Sequence, residues 1–300
     1  MASLQDLLIK RIFRNPLSEI GFRVSDDRDG QWDLKSLLLS GNLSVDSITS
    51  SNRYKLSLGD DIYYDALEST FYSGVVRYVK QCSVCEKMRN EKISPAAWNI
   101  VTLYYACFFC AVELLRVSGT WSIFLTSSEA RNINEINISG TKFSSGTYFI
   151  SIDHDGSYFN VFISKASNSG GGFHQTIWER FNALINIKKS HITDTKDQQI
   201  YSALSEGVGP EKGPSNLRNK WNYREPRLFN TSGEMIAKNT LYAKYGREQS
   251  WTKSFKRISS ENDEVFSLLN IYKTTSLLIN NGLRYVLPEK KLKLIDKLSQ

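Results

Sequence analysis

Apolar residues recur at helical spacing in several long stretches of this chain and alternate with polar ones in a single region. Asp60 or Asp61 can cap a helix reaching about Asn90, with Ile62, Ala66, Val75, Val76 and Val79 on its apolar positions. Ser94-Pro95 reads as a cap and first turn for a second helix from Ala96 to Val117, and Gly119 falls just past its end. The two predict an antiparallel hairpin. Between Ile133 and Lys165 the period changes to that of strands. Tyr148–Ile152 and Tyr158–Ile163 flank Asp153-His154-Asp155-Gly156, a hairpin-turn sequence. Ser167–Gly172 reads as a flexible linker, and helical spacing resumes over Gln175–Ile187 and Asn262–Leu283. Pro214-Ser215 opens a shorter helix that Pro226 ends, and Pro288 precedes a charged tail helix.

These elements predict a mainly α protein, a helical bundle interrupted by a small antiparallel β-hairpin or meander. Residues 1–59 form a mixed N-terminal region with one short amphipathic stretch (Leu4, Leu7, Leu8, Ile12). Residues 60–118 are the first helical hairpin, 119–168 the β-rich insert, and 169–300 the second helical part. Three hundred residues with 41% AVILMFWYC can bury a sizeable core, which excludes a collagen, a disordered tail and a disulfide miniprotein. Ala96–Leu115 approaches the length of a membrane span, but its tyrosines, cysteines and Glu113 suit a buried central helix, so no membrane is expected as a partner. The first residues put Lys10 and Arg11 after an apolar run, unlike a secretory signal, and a cytoplasmic location is expected.

Charge adds a second layer. The chain carries a net +7, and the segment 212–257 alone holds eleven basic residues against three glutamates, an excess of eight. Trp221, Tyr223, Phe229, Tyr242, Tyr245, Trp251 and Phe255 interleave with those cations. Cations neutralise phosphates and flat rings stack on unpaired bases, so the segment is a candidate nucleic-acid surface; the alternative is a solvated basic loop with ordinary core aromatics. Lys220, Arg224, Arg227 and Trp221 are its candidate RNA contacts.

Other constellations carry less. Cys82/Cys85 and Cys107/Cys110 form two CxxC pairs with the spacing of a four-thiolate zinc site, but both lie in apolar helical segments, which favours reduced core thiols over zinc. Asp153-His154-Asp155 sits where a turn is expected, and Gly170-Gly171-Gly172 lacks the Gly-Lys-Ser/Thr of a phosphate loop. No cofactor is implied.

The stretch with chemistry in it is Leu217-Arg218-Asn219-Lys220-Trp221-Asn222-Tyr223. On an α-helix, Arg218 and Asn222 share a face, as do Asn219 and Tyr223, and the four span an arc of about 140°. Leu217 and Trp221 point elsewhere and anchor the helix. Arginine grips a phosphodiester in a bidentate way and stabilises charge on a pentacoordinate phosphorus, while the amides orient hydroxyl or phosphate oxygens. The alternative is an N-capped helix with a solvated polar face.

Arg218-Asn219-x-x-x-Tyr223 resembles the Arg-Asn-x-x-x-His motif of the HEPN superfamily. Leu103-Tyr104-Tyr105-Ala106-Cys107-Phe108-Phe109-Cys110-Ala111 resembles that family's central helix, often Tyr-Tyr-Ala-x-Phe-x-x-Ala. The likeness covers the helical segments around 61–118 and 175–285. It implies a four- or five-helix bundle, commonly dimeric, acting as a metal-independent endoribonuclease in toxin or anti-phage defence systems. RNA, a second copy of the chain and a cognate regulator or antitoxin are the implied partners. Arg218 would be the phosphate-binding catalytic residue, with Asn219 beside it and Asn222 and Tyr223 positioning RNA. Tyr223 stands in the histidine's place, and a phenol with pKa about 10 is a poor base at neutral pH. Three routes are open: Tyr223 acts as an acid or is activated by Arg224, the domain binds without cleaving, or a distant histidine, His174 or His191, supplies the base.

Overall fold

The computed structural model describes residues 33–50, 53–57, 60–91, 95–138, 140–155, 158–166, 172–189, 202, 204–209, 213–224, 233–235, 238 and 261–298. The stretch Leu4–Ile12, the Gly156 turn, most of the 167–172 linker, His191, Arg227 and the basic, aromatic residues from Phe229 to Arg257 other than Lys238 lie outside them.

Helix α1 (Leu34–Ser40) is short, capped by the Asp33 carboxylate accepting from the Ser36 N–H at 2.7 Å and ended by Gly41 in the left-handed region (φ 78°). Helices α2 (Asp60–Asn90) and α3 (Ala96–Val117) follow with the bounds that the apolar spacing predicts. They run antiparallel: Arg116 reaches the Thr70 carbonyl, and Gln81 reaches that of Thr102. The cap of α3 differs from expectation, because Pro95 itself occupies the N-cap position and no side chain caps the helix.

Helix α3 is the centre of the molecule. It packs against α2, α5 (Phe173–Lys189), α6 (Pro214–Asn219), α7 (Glu261–Val286) and the strand that follows it. Among the described residues it is the helix long and apolar enough to cross a membrane (mean hydropathy 1.7), and 78% of that apolar stretch is covered by the protein itself. Each leucine-sized side chain buried there contributes roughly 1.5–3 kcal/mol. Ala106, Cys107, Cys110 and Ala111 are small and fully buried, which lets α7 approach closely enough for the Cys107 thiol to reach the Leu268 carbonyl at 3.5 Å. The tail helix α8 (Glu289–Leu298) lies on α2 and α7.

The β component is larger than the predicted hairpin. It is one antiparallel sheet of five strands in the order β1-β2-β5-β4-β3. Strand β3 (Thr120–Leu125) leaves α3 through Gly119, whose φ of 91° turns the chain. Strands β4 (Gly146–Asp155) and β5 (Tyr158–Lys165) are the expected hairpin, but the ladder continues to Asp155 opposite Tyr158. Asp153-His154-Asp155 is therefore strand backbone and not the turn that its sequence suggests. Strands β1 (Val45–Ser50) and β2 (Arg53–Leu56) come from the N-terminal region and join the sheet through β5. The strand period expected from Ile133 gives way to helix α4 (Ser127–Ile136), fixed by a reciprocal capping box between Thr126 and Glu129.

Candidate functional site

Three helices deliver the polar residues of one cluster. Helix α6 begins where the sequence predicts, with Pro214 at its first position and Gly213 at its cap. A Cβ at Gly213 would lie 2.5 Å from the Gly209 carbonyl oxygen, so only glycine fits there. After Asn219 the helix widens into a π turn, Lys220–Arg224. This alters the sequence expectation: within a π turn bonding runs from i to i+5, and the 100° wheel that puts Asn222 below Arg218 and Tyr223 below Asn219 no longer applies. Leu217 and Trp221 anchor the segment, and both are buried.

Burial corrects the role expected of Trp221. Its ring is 0% exposed, with no surface left for a base to stack on. The Lys220 ammonium is engaged by the Glu264 carboxylate of α7 at 3.0 Å, so its charge holds α6 to α7 before it can meet a phosphate. The backbone of Tyr223 and Arg224 belongs to the π turn.

Arg218 is half-buried and held on several sides. Its Nη2 and Nε donate to the Asn219 Oδ1 at 2.6 and 3.2 Å, and its Nη1 donates to the Tyr105 hydroxyl at 3.4 Å. The guanidinium also lies 5.7 Å from the centre of the Tyr104 ring. Asn219 thus positions the arginine through its own side-chain oxygen.

His174, forty-four residues upstream, is brought to the same place by the second residue of α5. Its ring stacks on Phe108 at 4.2 Å, and its Nδ1 is 2.7 Å from the Tyr104 hydroxyl. The same hydroxyl accepts from Trp178 Nε1 at 3.3 Å and lies 3.5 Å from Ser215 Oγ. Burial, and then the positive charge of Arg218, push the His174 imidazole down to about 4. Burial pushes the Tyr104 phenol up to about 12, against the opposing pull of its hydrogen bonds and Arg218. At neutral pH both are uncharged. When His174 Nδ1–H donates to Tyr104, the hydroxyl passes its own proton toward Ser215 and Nε2 carries the lone pair, which is the tautomer a base requires.

The cluster therefore unites Arg218, Asn219 and His174, together with residues the sequence did not single out for this role: Tyr104, Tyr105, Phe108, Trp178 and Ser215. The Tyr104-Tyr105 and Phe108-Phe109 pairs were the readable trace of it, two aromatic steps four residues apart on one helix.

The zinc spacing of Cys82, Cys85, Cys107 and Cys110 does not translate into a metal centre. None of the four is in a disulfide, Cys82 and Cys85 lying on α2 and Cys107 and Cys110 on α3. Cys85, Cys107 and Cys110 are buried and belong to the hydrophobic core, with the partly buried Cys82 packed against it. Burial pushes the Cys107 and Cys110 thiols well up and that of Cys82 up to about 11. A thiol held protonated is a poor zinc ligand. Among the described residues, no three His, Cys, Asp or Glu side chains converge on a point where a metal ion could sit, so neither CxxC pair, Cys82/Cys85 or Cys107/Cys110, is a zinc half-site.

Neither a family model nor a curated protein nor a solved structure matches the chain.

Proposed function

We propose that the chain is a HEPN-like, metal-independent endoribonuclease of a toxin or anti-phage defence system, working in the cytoplasm on RNA, as a dimer and under a cognate regulator. The observation that carries this reading is the meeting of Arg218, held by Asn219, with the neutral imidazole of His174, held by Tyr104. Arg218 binds the scissile phosphate and stabilises the charge that grows on it. His174 takes the proton of the adjacent 2′-hydroxyl, whose oxygen attacks phosphorus in line and displaces the 5′-oxygen. The leaving oxygen takes a proton from water or from the Tyr223 phenol, giving a 2′,3′-cyclic phosphate and a 5′-hydroxyl. Burial is the larger cause of the lowered His174 pKa, and a bound phosphate offsets the lesser one, the Arg218 charge.

Binding without turnover is the second reading. It is favoured by the low basicity of His174 and by the engagement of Arg218 with Asn219 and Tyr105.

The two are separated by incubating a mixed RNA pool with the wild type and Arg218→Ala in EDTA. The nuclease reading expects cleavage by the wild type and a loss of about 100-fold or more in the variant. RNA binding by the wild type without cleavage supports the second reading, and equal cleavage by both proteins refutes the assignment of Arg218.

A further inference from the structure

The other half of α3 faces a cavity of about 520 Å³ framed by α1, α2 and β3. That is the size range of small-molecule sites. Arg116 lies twelve residues beyond Tyr104 on the same helix, about 18 Å along its axis, so the cavity is separate from the His174–Arg218 cluster.

Its floor is built around a buried ion pair. Arg116 Nη1 donates to Glu113 Oε1 at 2.8 Å and to the Thr70 carbonyl at 2.9 Å. Gly74 makes room for that pair, since a Cβ there would lie 2.1 Å from both Arg116 Nη1 and Glu113 Oε1. Yet the pair is incompletely served. Arg116 Nε and Trp121 Nε1 are buried donors with no partner among the described residues, and Glu113 Oε2 is a buried acceptor in the same state. Trp121 lines the cavity and is 1% exposed. Native interiors seldom leave three such atoms together.

The walls are polar and cationic. Arg77 stands at the rim, with the Ser69, Ser73 and Ser122 hydroxyls around it. Two further charges on the lining are already committed. Asp33 caps α1, and Lys35 pairs with Glu129 at 2.8 Å. What remains is the exposed Arg77 guanidinium, 5.7 Å from the Phe109 ring centre, the part of Arg116 that Glu113 and Thr70 leave exposed, and the Ser73 and Ser122 hydroxyls, while the Trp121 N–H is buried in the wall behind them. The guanidinium and hydroxyl groups can donate to an oxyanion, and guanidinium suits the geometry of phosphate oxygens.

We propose that this cavity binds a phosphate-bearing small molecule of mononucleotide size or less, seated on Arg77 and Arg116 with the serine hydroxyls around it. Arg116 is the fixed base of the site, oriented by Glu113 and Thr70. Arg77 is the reaching arm. The Trp121 indole forms part of the wall and reports the ligand's arrival.

The test uses the full chain with ¹⁵N-labelled tryptophan, titrated separately with inorganic phosphate, ribose 5-phosphate and adenosine 5′-monophosphate. The Trp121 indole resonance is assigned from Trp121→Phe, and that of Trp178, beside His174, from Trp178→Phe. A saturable shift of the Trp121 resonance with any of the three probes, weakened about tenfold or more in Arg77→Ala, is the expected result. The probe that shifts it at the lowest concentration identifies whether the free ion, a sugar phosphate or a nucleotide is the better fit. Arg77 is exposed, and the indole spectrum of ligand-free Arg77→Ala checks that its fold is retained. A shift confined to Trp178, no shift of Trp121 at ~10 mM probe, or a Trp121 shift indifferent to Arg77→Ala overturns the proposal. None of these outcomes depends on RNA cleavage.

Discussion

Helix α3 carries polar side chains into the interior in both of its halves, and the halves treat them differently. Around Tyr104 one hydroxyl serves three partners, His174, Trp178 and Ser215, all within hydrogen-bonding reach. Around Glu113 the ion pair with Arg116 leaves one oxygen and one nitrogen without partners among the described residues, and the neighbouring Trp121 indole adds a third orphan. A satisfied network holds its members still, which suits groups that must meet a substrate in one geometry. An unsatisfied one is costly to hold, and a neighbouring ligand that draws its donors outward relieves that cost.

The largest effect expected from breaking this contrast is at Gly74. Gly74→Ala places a methyl group against a pinned ion pair, and separating that pair strands a buried charge, so a loss of about 3 kcal/mol is expected in urea or thermal unfolding. An unchanged midpoint would show that Arg116 and Glu113 move aside freely.

The two halves should also answer pH in opposite senses. Glu113 is held up to about 7, burial outweighing the nearby Arg116 and Arg77, so the folded chain binds its proton more tightly than the unfolded chain. That contribution is present at low pH and is lost as pH rises from about 4.5 to about 7, by roughly 3 kcal/mol. His174 is held down to about 4, so its contribution is present above the unfolded value near 6.5 and is lost as pH falls toward 4. The imidazole is partly exposed, and its effect is the smaller of the two. In the wild type the slopes oppose each other between about 4.5 and 6.5. Glu113→Gln should leave the histidine slope, with stability falling on acidification. His174→Asn should leave the glutamate slope, with stability rising. Parallel pH curves for both variants and the wild type would contradict both assignments.

Tyr104→Phe removes the shared hydroxyl and leaves the buried Trp178 N–H without its acceptor, for an expected cost of about 1–3 kcal/mol and a weaker hold on His174. The unfolding midpoint and the His174 NMR titration read the two effects separately. Lys220→Ala sits at the small end: its partly exposed bridge to Glu264 is worth about 1 kcal/mol or less, and RNA affinity should change by about threefold or less. A large loss of RNA binding would restore Lys220 as a phosphate contact.

Where the physics is local, the sequence could be read. The bounds of α2 and α3 follow from a run of apolar positions, a proline at one start and a glycine past one end. Strand β1 could not be read this way, because Val45–Ser50 exposes most of its length and its polar residues carry no alternation. Helix α4 had a signal in Thr126-x-x-Glu129, but its isoleucines also fit a strand. At the candidate site, Arg218 and Asn219 stood out as a motif. His174 was one of two histidines within a bundle's reach, and nothing in its spacing from Arg218 chose between them. Packing on Phe108 is what brings His174 to the cluster. Trp221 shows the converse limit, since an aromatic among cations reads as a stacking platform until its burial is known. The cysteines repeat that lesson: the interval between Cys85 and Cys107 fits a zinc site on paper, while the helices that carry them bury both thiols in the core.

The most direct test of the central claim, that His174 and Arg218 act together on RNA, is single-turnover cleavage of an RNA oligonucleotide by the wild type and His174→Asn in EDTA, with the product ends identified. The account predicts 2′,3′-cyclic phosphate ends from the wild type and a rate at least about 100-fold lower in the variant, with RNA affinity retained. Cleavage by His174→Asn at the wild-type rate, or wild-type products ending in a 3′-hydroxyl, would contradict it.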